Sequence, residues 1–321
     1  MKAILIEDRK LVWREATEPE VTPGTVKIRV RASAVNRADL MQAMGRYPPP
    51  PGASEVPGLE CSGEVVAIGE GVQRVAPGDA VCALLAGGGY SETVVAPAGQ
   101  VLRIPRGLDL LDSAALPEVF ATAYLNLYGE AALATGERVL LHAGASGVGT
   151  AAIQLCVHSH NPCFVTVGGQ AKVDRCLALG AAGGADRHAE SFAGKVGEWT
   201  HGEGFDVILD PVGAAYLADN LASLAVDGRL ISIGLMGGAQ AELNMALLLM
   251  KRLRIVGSTL RPRSIAAKSA VMDGLQRDVW PKIEKGAIKP IVEAVLPMPE
   301  AQRAHELVAG NATVGKVLLE L

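Results

Sequence analysis

The sequence contains few cysteines, and none of them are closely paired. The five occur at positions 61, 82, 156, 163 and 176, an odd number without any C-x-x-C pair. Disulfide frameworks and thiolate zinc sites both depend on paired or closely spaced cysteines. The chain is therefore predicted to carry reduced thiols, in its core or on its surface, rather than either kind of cross-link.

Long apolar runs are also missing. The longest dense run, Met245 to Met250, is closed by two basic residues, and it is far shorter than the roughly 20 residues that a membrane span needs. At the start of the chain, Glu7 and Asp8 interrupt the apolar stretch Ala3 to Ile6, so no secretory signal is recognised. These absences favour a cytoplasmic protein.

No excess of one charge is present either. Lys and Arg number 30 and Asp and Glu number 34, and the isoelectric point is about 5.9. Proteins that bind nucleic acid or anionic lipid usually carry a basic surface, and this chain has no basic run. A small molecule is the predicted partner. The length of 321 residues fits two domains at roughly 150 residues each.

The pattern of the chain changes near its middle. Up to about Pro105, short β-type runs alternate with Pro and Gly turns, which is typical of a β barrel or sandwich. From about Pro117 to Gly257, apolar strands alternate with helical patterns, which indicates βαβ units on a parallel sheet. Six strands are predicted there: Arg138 to Ala143, Cys163 to Val167, a brief one at Ala185, Phe205 to Leu209, Arg229 to Ile233, and Leu253 to Val256. The later tail is predicted to return to the first domain.

A glycine-rich turn opens the first of these units. Residues 140–149, LLHAGASGVG, run from a strand into a helix whose apolar positions follow helical spacing. In a Rossmann turn, the first glycine permits the bend, a small central residue admits the pyrophosphate, and the last glycine lets helix and strand pack closely. Gly144, Ser146, Gly147, Val148 and Gly149 are therefore predicted to bind a dinucleotide. The rival interpretation, a hydrolase nucleophile at Ser146, fails because G-x-S-x-G would need glycine at position 148.

The end of the second strand indicates which dinucleotide is bound. An NAD enzyme usually carries an acid there for the ribose 2′-hydroxyl, but this chain has Gly168 and Gly169 followed by glutamine. Lys172 and Arg187 follow shortly and could bind a 2′-phosphate. NADP is predicted, although either cation could instead be an ordinary solvated residue.

Several segments together resemble one known family. They are His142 to Gly149, Val35 to Met41, the loop Gly45 to Pro50 and the closing Gly315 to Leu319. The chain resembles the zinc-free quinone oxidoreductases of the medium-chain dehydrogenase/reductase superfamily, and it is most similar to the tumour-suppressor-inducible branch, with zeta-crystallin more distant. The resemblance implies a Rossmann doubly wound parallel sheet (residues 120–260) inserted in a GroES-like β-barrel domain (residues 1–119 and 261–321), with catalysis in the cleft between them. To the cofactor contacts it adds Gly213, Gly234, Leu260 and Lys316.

The sequence departs from the zinc-containing relatives at their catalytic metal ligands. Asn36 stands where those alcohol dehydrogenases carry cysteine, and Leu59 replaces the histidine of their Gly-His-Glu segment. The cysteine-rich lobe expected after Leu85 to Tyr90 is also missing. No zinc ligand set is predicted. Without a Lewis acid, hydride acceptors that form a delocalised anion, such as quinones and conjugated enones, are favoured.

By resemblance, Asn36, Asp39, Tyr47 and Arg261 would line the catalytic site. Tyr47 is the first choice as hydrogen-bond donor to the developing oxyanion, and its alternative is an exposed loop aromatic. For Asn36 the alternative is a turn cap, and for Arg261 a solvated surface role.

The activity predicted is therefore NADPH-dependent, zinc-independent quinone reduction. An enoyl or enone reductase on the same scaffold is the enzymatic alternative. A nucleotide-binding protein with a structural or RNA-binding role is the other, although the charge balance disfavours RNA. The short apolar sixth strand also predicts a homodimer formed by edge pairing.

Overall fold

The computed structural model describes residues 1–321, which divide into two compact units. The first, here called the barrel unit, contains residues 1–121 and 260–321, and the second, the Rossmann unit, contains residues 122–259. No helix combines the length and apolarity that a membrane crossing requires.

The N-terminal part of the barrel unit is mostly β structure. Strand β3 shows why, because Val26, Ile28 and Val30 are buried and alternate with more exposed residues, the period-2 pattern of a sheet with one face on the core. The elements are β1 (Lys2–Glu7), β2 (Lys10–Glu15), β3 (Thr25–Ala34), α1 (Arg37–Ala43), β4 (Glu60–Ile68), β5 (Ala80–Leu84), β6 (Thr93–Pro97), β7 (Val101–Arg103), α2 (Leu110–Ser113) and α3 (Pro117–Tyr124).

The Rossmann unit follows with six parallel strands. Its elements after a π-helical turn (Leu125–Glu130) are β8 (Val139–His142), α4 (Gly147–His158), β9 (Cys163–Val167), α5 (Gln170–Ala178), β10 (Gly183–Asp186), α6 (Val196–Thr200), β11 (Phe205–Asp210), α7 (Leu217–Ser223), β12 (Leu224–Ser232), α8 (Met245–Met250) and β13 (Arg254–Gly257). The strand order is β10-β9-β8-β11-β12-β13, with every pair parallel. This is the doubly wound order, and it confirms the predicted fold class.

The C-terminal tail supplies two strands of the barrel unit. It contains α9 (Ile265–Asp278), α10 (Trp280–Glu284), β14 (Val292–Pro297), α11 (Ala301–Ala309) and β15 (Lys316–Glu320). The sheet runs in the order β14-β15-β3-β4-β5-β7, with β6 also on β3, so β15 lies between β14 and β3. Buried Leu318 and Leu319 pair with Ala34 and Ser33 across that junction.

The observed strand bounds differ from the prediction at β12. The strand begins at Leu224 rather than Arg229, because Leu224 pairs with Phe205 before a register shift in the ladder. The Asp227-Gly228 pair inside it resembles a turn in sequence, and Asp227 does adopt a left-handed φ of 63°. The irregularity is thus absorbed within the strand instead of ending it.

Candidate active site

The glycine-rich turn connects β8 to α4 through close backbone approaches. A Cβ on Gly144 would lie 2.6 Å from Val165 Cβ of β9, and one on Gly149 would lie 2.4 Å from the Gly144 carbonyl oxygen. Both positions therefore require glycine. Ser146 is the N-cap of α4, and its hydroxyl accepts the Gly149 N–H at 3.0 Å.

The first N–H groups of α4 remain available to a ligand. Gly147 and Val148 are the first two residues of the helix and are only half-buried, and N–H groups at such positions have no partner within the helix. Together with the positive end of the helix dipole, they suit a phosphate.

The end of β9 lies beside the side chains of an arginine and a histidine. A Cβ on Gly168 would lie 3.2 Å from His188 Nε2 and 3.3 Å from Arg187 Nη2. Asp186, at the end of β10, accepts the Gly169 N–H at 2.8 Å and the His188 N–H at 3.0 Å, and these bonds lower the pKa of its carboxyl. Lys172 lies in the first turn of α5. The structure thus places Arg187 beside Gly168. It also places His188 there, a residue that the sequence analysis missed.

A cavity of 390 Å³ opens next to these residues within the Rossmann unit. Arg187 and His188 line it together with Thr166, Phe192 and Tyr216. Its size suits part of a dinucleotide rather than a macromolecule.

A buried polar network contacts three of the residues that line this cavity, Thr166, Phe192 and Tyr216. His142 is 3% exposed, forms hydrogen bonds with Thr166 Oγ1 at 2.9 Å and Asn220 Oδ1 at 2.7 Å, and packs edge-on against Phe192 and Tyr216. Burial lowers the pKa of His142 to about 4, so the ring is neutral. His142 is therefore a buried structural residue of the Rossmann unit.

Loops after β11 and β12 pack against one another nearby. A Cβ on Gly213 would lie 3.2 Å from the Gly234 carbonyl oxygen, so both predicted cofactor glycines lie in one close contact. Asp210 accepts the Val212 N–H at 2.6 Å and so caps the turn after β11. Leu260, another predicted contact, is buried at the start of the tail in the barrel unit.

The barrel unit holds a buried ion pair beside Asn36. The Lys316 ammonium donates to Glu60 Oε1 at 2.8 Å, to Asn36 Oδ1 at 2.7 Å and to the Val35 carbonyl oxygen at 2.8 Å. The side chains of Lys316 and Glu60 are 4% and 0% exposed. Lys316, predicted as a cofactor contact, thus has its ammonium group fully engaged within its own unit.

Asn36 joins this network instead of capping a helix with its side chain. It stands at the N-cap of α1, but its amide donates to Glu60 Oε1 at 2.9 Å and to the Ala34 carbonyl oxygen at 3.2 Å. Asn36 thus stands at a turn, as the alternative held, while its amide group binds the ion-pair network. The reciprocal capping bond comes from Asp39, whose Oδ2 accepts the Asn36 N–H at 2.8 Å.

Asp39 is completely buried and fully partnered. Besides the Asn36 N–H, its carboxyl accepts from Gly58 N at 3.1 Å and Tyr90 Oη at 3.1 Å. Burial raises its pKa to about 6 in spite of these donors. Asp39 therefore links α1 to the loop at Gly58. Both of its carboxylate oxygens already accept hydrogen bonds from the protein.

The Arg261 side chain contacts both the backbone and the ring of Tyr47. Its guanidinium donates to Gln42 Oε1 at 2.7 Å, the Ala86 carbonyl oxygen at 2.8 Å and the Tyr47 carbonyl oxygen at 3.3 Å, and it lies 5.3 Å from the Tyr47 ring centroid. Arg261 is 3% exposed, so the solvated alternative is wrong. This cation–π contact orients the half-buried Tyr47 ring. The Tyr47 hydroxyl has no hydrogen-bond partner in the chain.

A further acid, Glu118, belongs to the same cluster, and the sequence analysis missed it. Its N–H donates to Glu60 Oε2 at 2.8 Å, which places it directly behind the ion pair. A lone acid directly after Pro117 in an apolar segment was the available signal. Buried Lys268 donates to the Arg261 carbonyl oxygen at 3.2 Å, and the sequence analysis missed this residue as well.

The chemistry available in this cluster comes from hydrogen-bond donors and charges. No group of three His, Cys, Asp or Glu side chains is arranged to hold a metal ion. Asn36 contacts Glu60 and Lys316, whereas Arg261 contacts Tyr47 and Gln42. Asp39 and Gln42 are both buried residues of α1. Tyr47 is the member with a polar group left for a ligand.

Comparison with known proteins gives the class to which both units belong. A zinc-binding dehydrogenase family model matches residues 147–273, and an alcohol dehydrogenase GroES-like domain model matches residues 22–106. The human synaptic vesicle membrane protein VAT-1 homolog is 32% identical over 330 residues, which cover 97% of this chain and 82% of that protein. The chain belongs to the medium-chain dehydrogenase/reductase superfamily of oxidoreductases.

Two further matches refine this placement. The crystal structure of Escherichia coli quinone oxidoreductase complexed with NADPH matches with a TM-score of 0.88 at 27% identity, covering 100% of this chain and 99% of that one. The lovastatin diketide synthase lovF of Aspergillus terreus is 31% identical over 313 residues, or 94% of this chain and 12% of that protein. The E. coli match supports the quinone oxidoreductase branch that the sequence predicts.

Proposed function

We propose that this protein is an NADPH-dependent reductase of quinones or similar conjugated carbonyl compounds. The observation that carries the proposal is the Tyr47 hydroxyl, which has no partner in the chain and whose ring is held by the buried Arg261. It lies in a unit where Asn36 and Leu59 replace the metal ligands of zinc-containing relatives. A site of this kind offers a hydrogen bond to a developing oxyanion rather than a Lewis acid.

The Rossmann unit would hold the cofactor. The N–H groups of Gly147 and Val148 suit the pyrophosphate. Arg187 and Lys172 supply positive charge for a 2′-phosphate, and the His188 ring lies beside Arg187. The E. coli quinone oxidoreductase, which matches over the whole chain, was solved with NADPH. When bound, NADPH supplies a hydride from nicotinamide C4.

In the barrel unit, Tyr47 would donate its hydroxyl hydrogen to the acceptor oxygen as negative charge develops there. Burial and the charge of Glu118 raise the pKa of this phenol, while Arg261 lowers it, so the phenol remains a donor at neutral pH. Arg261 would act as a positioning residue through the ring and the backbone of Tyr47. Asn36 and Asp39 would fix the α1 loop that carries the site.

A panel of ortho- and para-quinones, assayed with NADPH and NADH in parallel, tests the proposal. We expect quinone-dependent NADPH oxidation with a kcat/KM at least about tenfold above that with NADH, a margin of about 1.4 kcal/mol. Tyr47→Phe should lower kcat by about tenfold or more, since one donor to the oxyanion is lost. Absence of turnover with every quinone would refute the proposal.

A reductase of conjugated C=C bonds is the second candidate. Its supporting observation is the match to lovF along 94% of this chain, and hydride addition to an enone also forms a delocalised anion. Rates with 2-enals and enoyl thioesters, compared with quinones under the same conditions, separate the two. Higher kcat/KM for an enoyl thioester than for every quinone would favour this candidate.

We also propose a homodimer formed through the edge of the Rossmann sheet. Strand β13 is an edge strand, and Ile255 on it is 41% exposed. The preceding α8 exposes Met245, Leu249 and Met250 by 62–79%. An open edge with an apolar patch is usually covered, and sedimentation should show a dimer that Ile255→Lys, but not Ile265→Lys, shifts toward monomer. A wild-type monomer at micromolar concentration would contradict the proposal.

A further inference from the structure

Four buried side chains form a continuous hydrogen-bond relay at the carboxyl ends of the Rossmann strands. Thr166, His142 and Asp210 lie at or next to the ends of β9, β8 and β11, and Asn220 lies on α7. His142 Nδ1 lies 2.9 Å from Thr166 Oγ1, and His142 Nε2 lies 2.7 Å from Asn220 Oδ1. The Asn220 amide donates to Asp210 Oδ2 at 3.1 Å. Each side chain is at most 3% exposed, so the relay is closed to water.

The hydrogen bonds of this relay all point in one direction. The Asp210 carboxylate only accepts hydrogen bonds, so the Asn220 amide turns its nitrogen toward Asp210 and its oxygen toward His142. The His142 ring must then donate from Nε2. Because burial lowers the pKa of His142 to about 4, the ring is neutral, and its Nδ1 accepts the hydroxyl hydrogen of Thr166. Each donor therefore points from β9 toward Asp210.

One end of the relay reaches the wall of the 390 Å³ cavity. Thr166 lines this cavity together with Arg187. His142 packs edge-on against two more lining residues, Phe192 and Tyr216, with ring centroids 4.7 and 4.8 Å away. The positions of three lining side chains therefore depend on contacts with His142.

The other end of the relay fixes the loop after β11. Asp210 Oδ1 accepts the Val212 N–H at 2.6 Å, and Asp210 Oδ2 accepts the Gly213 N–H at 3.1 Å. Asn220, which connects Asp210 to His142, is 0% exposed and is not among the residues that line the cavity. It links the two regions without facing either ligand space itself.

We infer that His142 and Asn220 are positioning residues for the dinucleotide, because they join the cavity wall to the Gly213 loop before the ligand arrives. His142 also directly precedes the glycine-rich turn, so the relay connects all three parts of the predicted cofactor site in the Rossmann unit. A ligand that must order its own site binds more weakly than one that meets a preorganised site. The inference rests on the proposed function for NADPH as the ligand.

The test compares two changes in the relay with a matched change elsewhere in the unit. Asn220→Leu removes the connecting amide, and His142→Phe removes both ring nitrogens but keeps an aromatic ring for the edge-on contacts. The control is Asn161→Leu. Asn161 is also buried, and its amide donates to two backbone carbonyl oxygens, but it lies before β9, at the other end of that strand.

Calorimetry should show NADPH affinity about tenfold lower in both relay variants, and within about twofold of wild type in the control. Urea unfolding should show that all three variants remain folded and that the control also loses stability, because it loses buried hydrogen bonds as well. Loss of stability alone would then not explain a loss of affinity. Wild-type NADPH affinity in both relay variants would overturn the inference and leave the proposed function intact.

An independent readout uses NMR of the protein without cofactor. The His142 ring of the wild type should carry its hydrogen on Nε2, and the Gly213 amide resonance should shift in His142→Phe but not in Asn161→Leu. A hydrogen on Nδ1, or a Gly213 resonance that does not move in His142→Phe, would overturn the inference alone. A wild type that binds no NADPH would instead overturn the proposed function, and with it the role of the relay in binding.

Discussion

The glycine-rich turn and the buried ion-pair cluster present their polar groups in opposite ways. The turn, residues 144–149, is one continuous segment that offers backbone N–H groups at a half-exposed helix start. The cluster draws Asn36, Glu60, Glu118 and Lys316 from four separate elements and buries full charges among them. A motif in sequence therefore describes the turn almost completely, while the cluster exists only after distant strands have paired.

The largest effect should come from removing one partner of the buried pair. Lys316→Met leaves Glu60 buried without its counter-ion, so we expect the free energy of unfolding to fall by about 3–5 kcal/mol. Urea unfolding measures this, with the exposed Lys285→Met as control. If adding Glu60→Gln recovers none of the loss, the Lys316 stem and not the ion pair was responsible.

A substitution in the glycine-rich turn should lower NADPH affinity more than it lowers the free energy of unfolding. In Gly149→Ala, the new Cβ would lie 2.4 Å from the Gly144 carbonyl oxygen, so the turn must open. We expect NADPH affinity, measured by calorimetry, to fall by about a hundredfold, or about 2.7 kcal/mol. Gly194→Ala, where nothing lies near the added Cβ, is the control. Equal affinity in the two variants would show that the close approach does not shape the phosphate site.

A smaller effect should come from one side chain beside the turn. Arg187→Ala should lower NADPH affinity by about tenfold and leave NADH affinity unchanged, since a charge-assisted hydrogen bond contributes about 1.5–3 kcal/mol. The exposed Arg175 on α5 provides the matched variant Arg175→Ala. An unaltered NADPH to NADH ratio in Arg187→Ala would mean that Arg187 does not contact the 2′-phosphate.

The smallest expected effect over a single pH unit concerns the pH dependence of stability in the cluster. The Glu118 carboxyl releases its proton near pH 4.5 when unfolded and near pH 8 when folded. Between these values the folded state holds more protons, so the free energy of unfolding falls as pH rises. One proton gives a slope of at most about 1.4 kcal/mol per pH unit. Glu118→Gln should flatten the slope, and an identical slope in wild type and variant would contradict the shift.

The glycine-rich turn could therefore be predicted from the sequence, because it is formed by one continuous segment. The strand, glycine turn and helix around Gly144 and Gly149 follow from short-range patterns, and so does the six-stranded sheet. The roles of Lys316 and Arg261 could not be predicted in this way, because both are long surface-type cations that only tertiary packing buries. Glu118 was missed because nothing in its own segment shows that Glu60 and Asp39 will surround it.

The position of β15 also affects the order of folding. Lys316 is carried by β15, which inserts between β14 and β3, and the ribosome makes it only after the whole Rossmann unit. Until then, a nascent barrel unit would have to bury Glu60 without its cation, which is strongly unfavourable. Domains usually complete their folding in the order of synthesis. In this chain β15 must be made before the barrel unit can complete its sheet. The inserted Rossmann unit is therefore free to fold first.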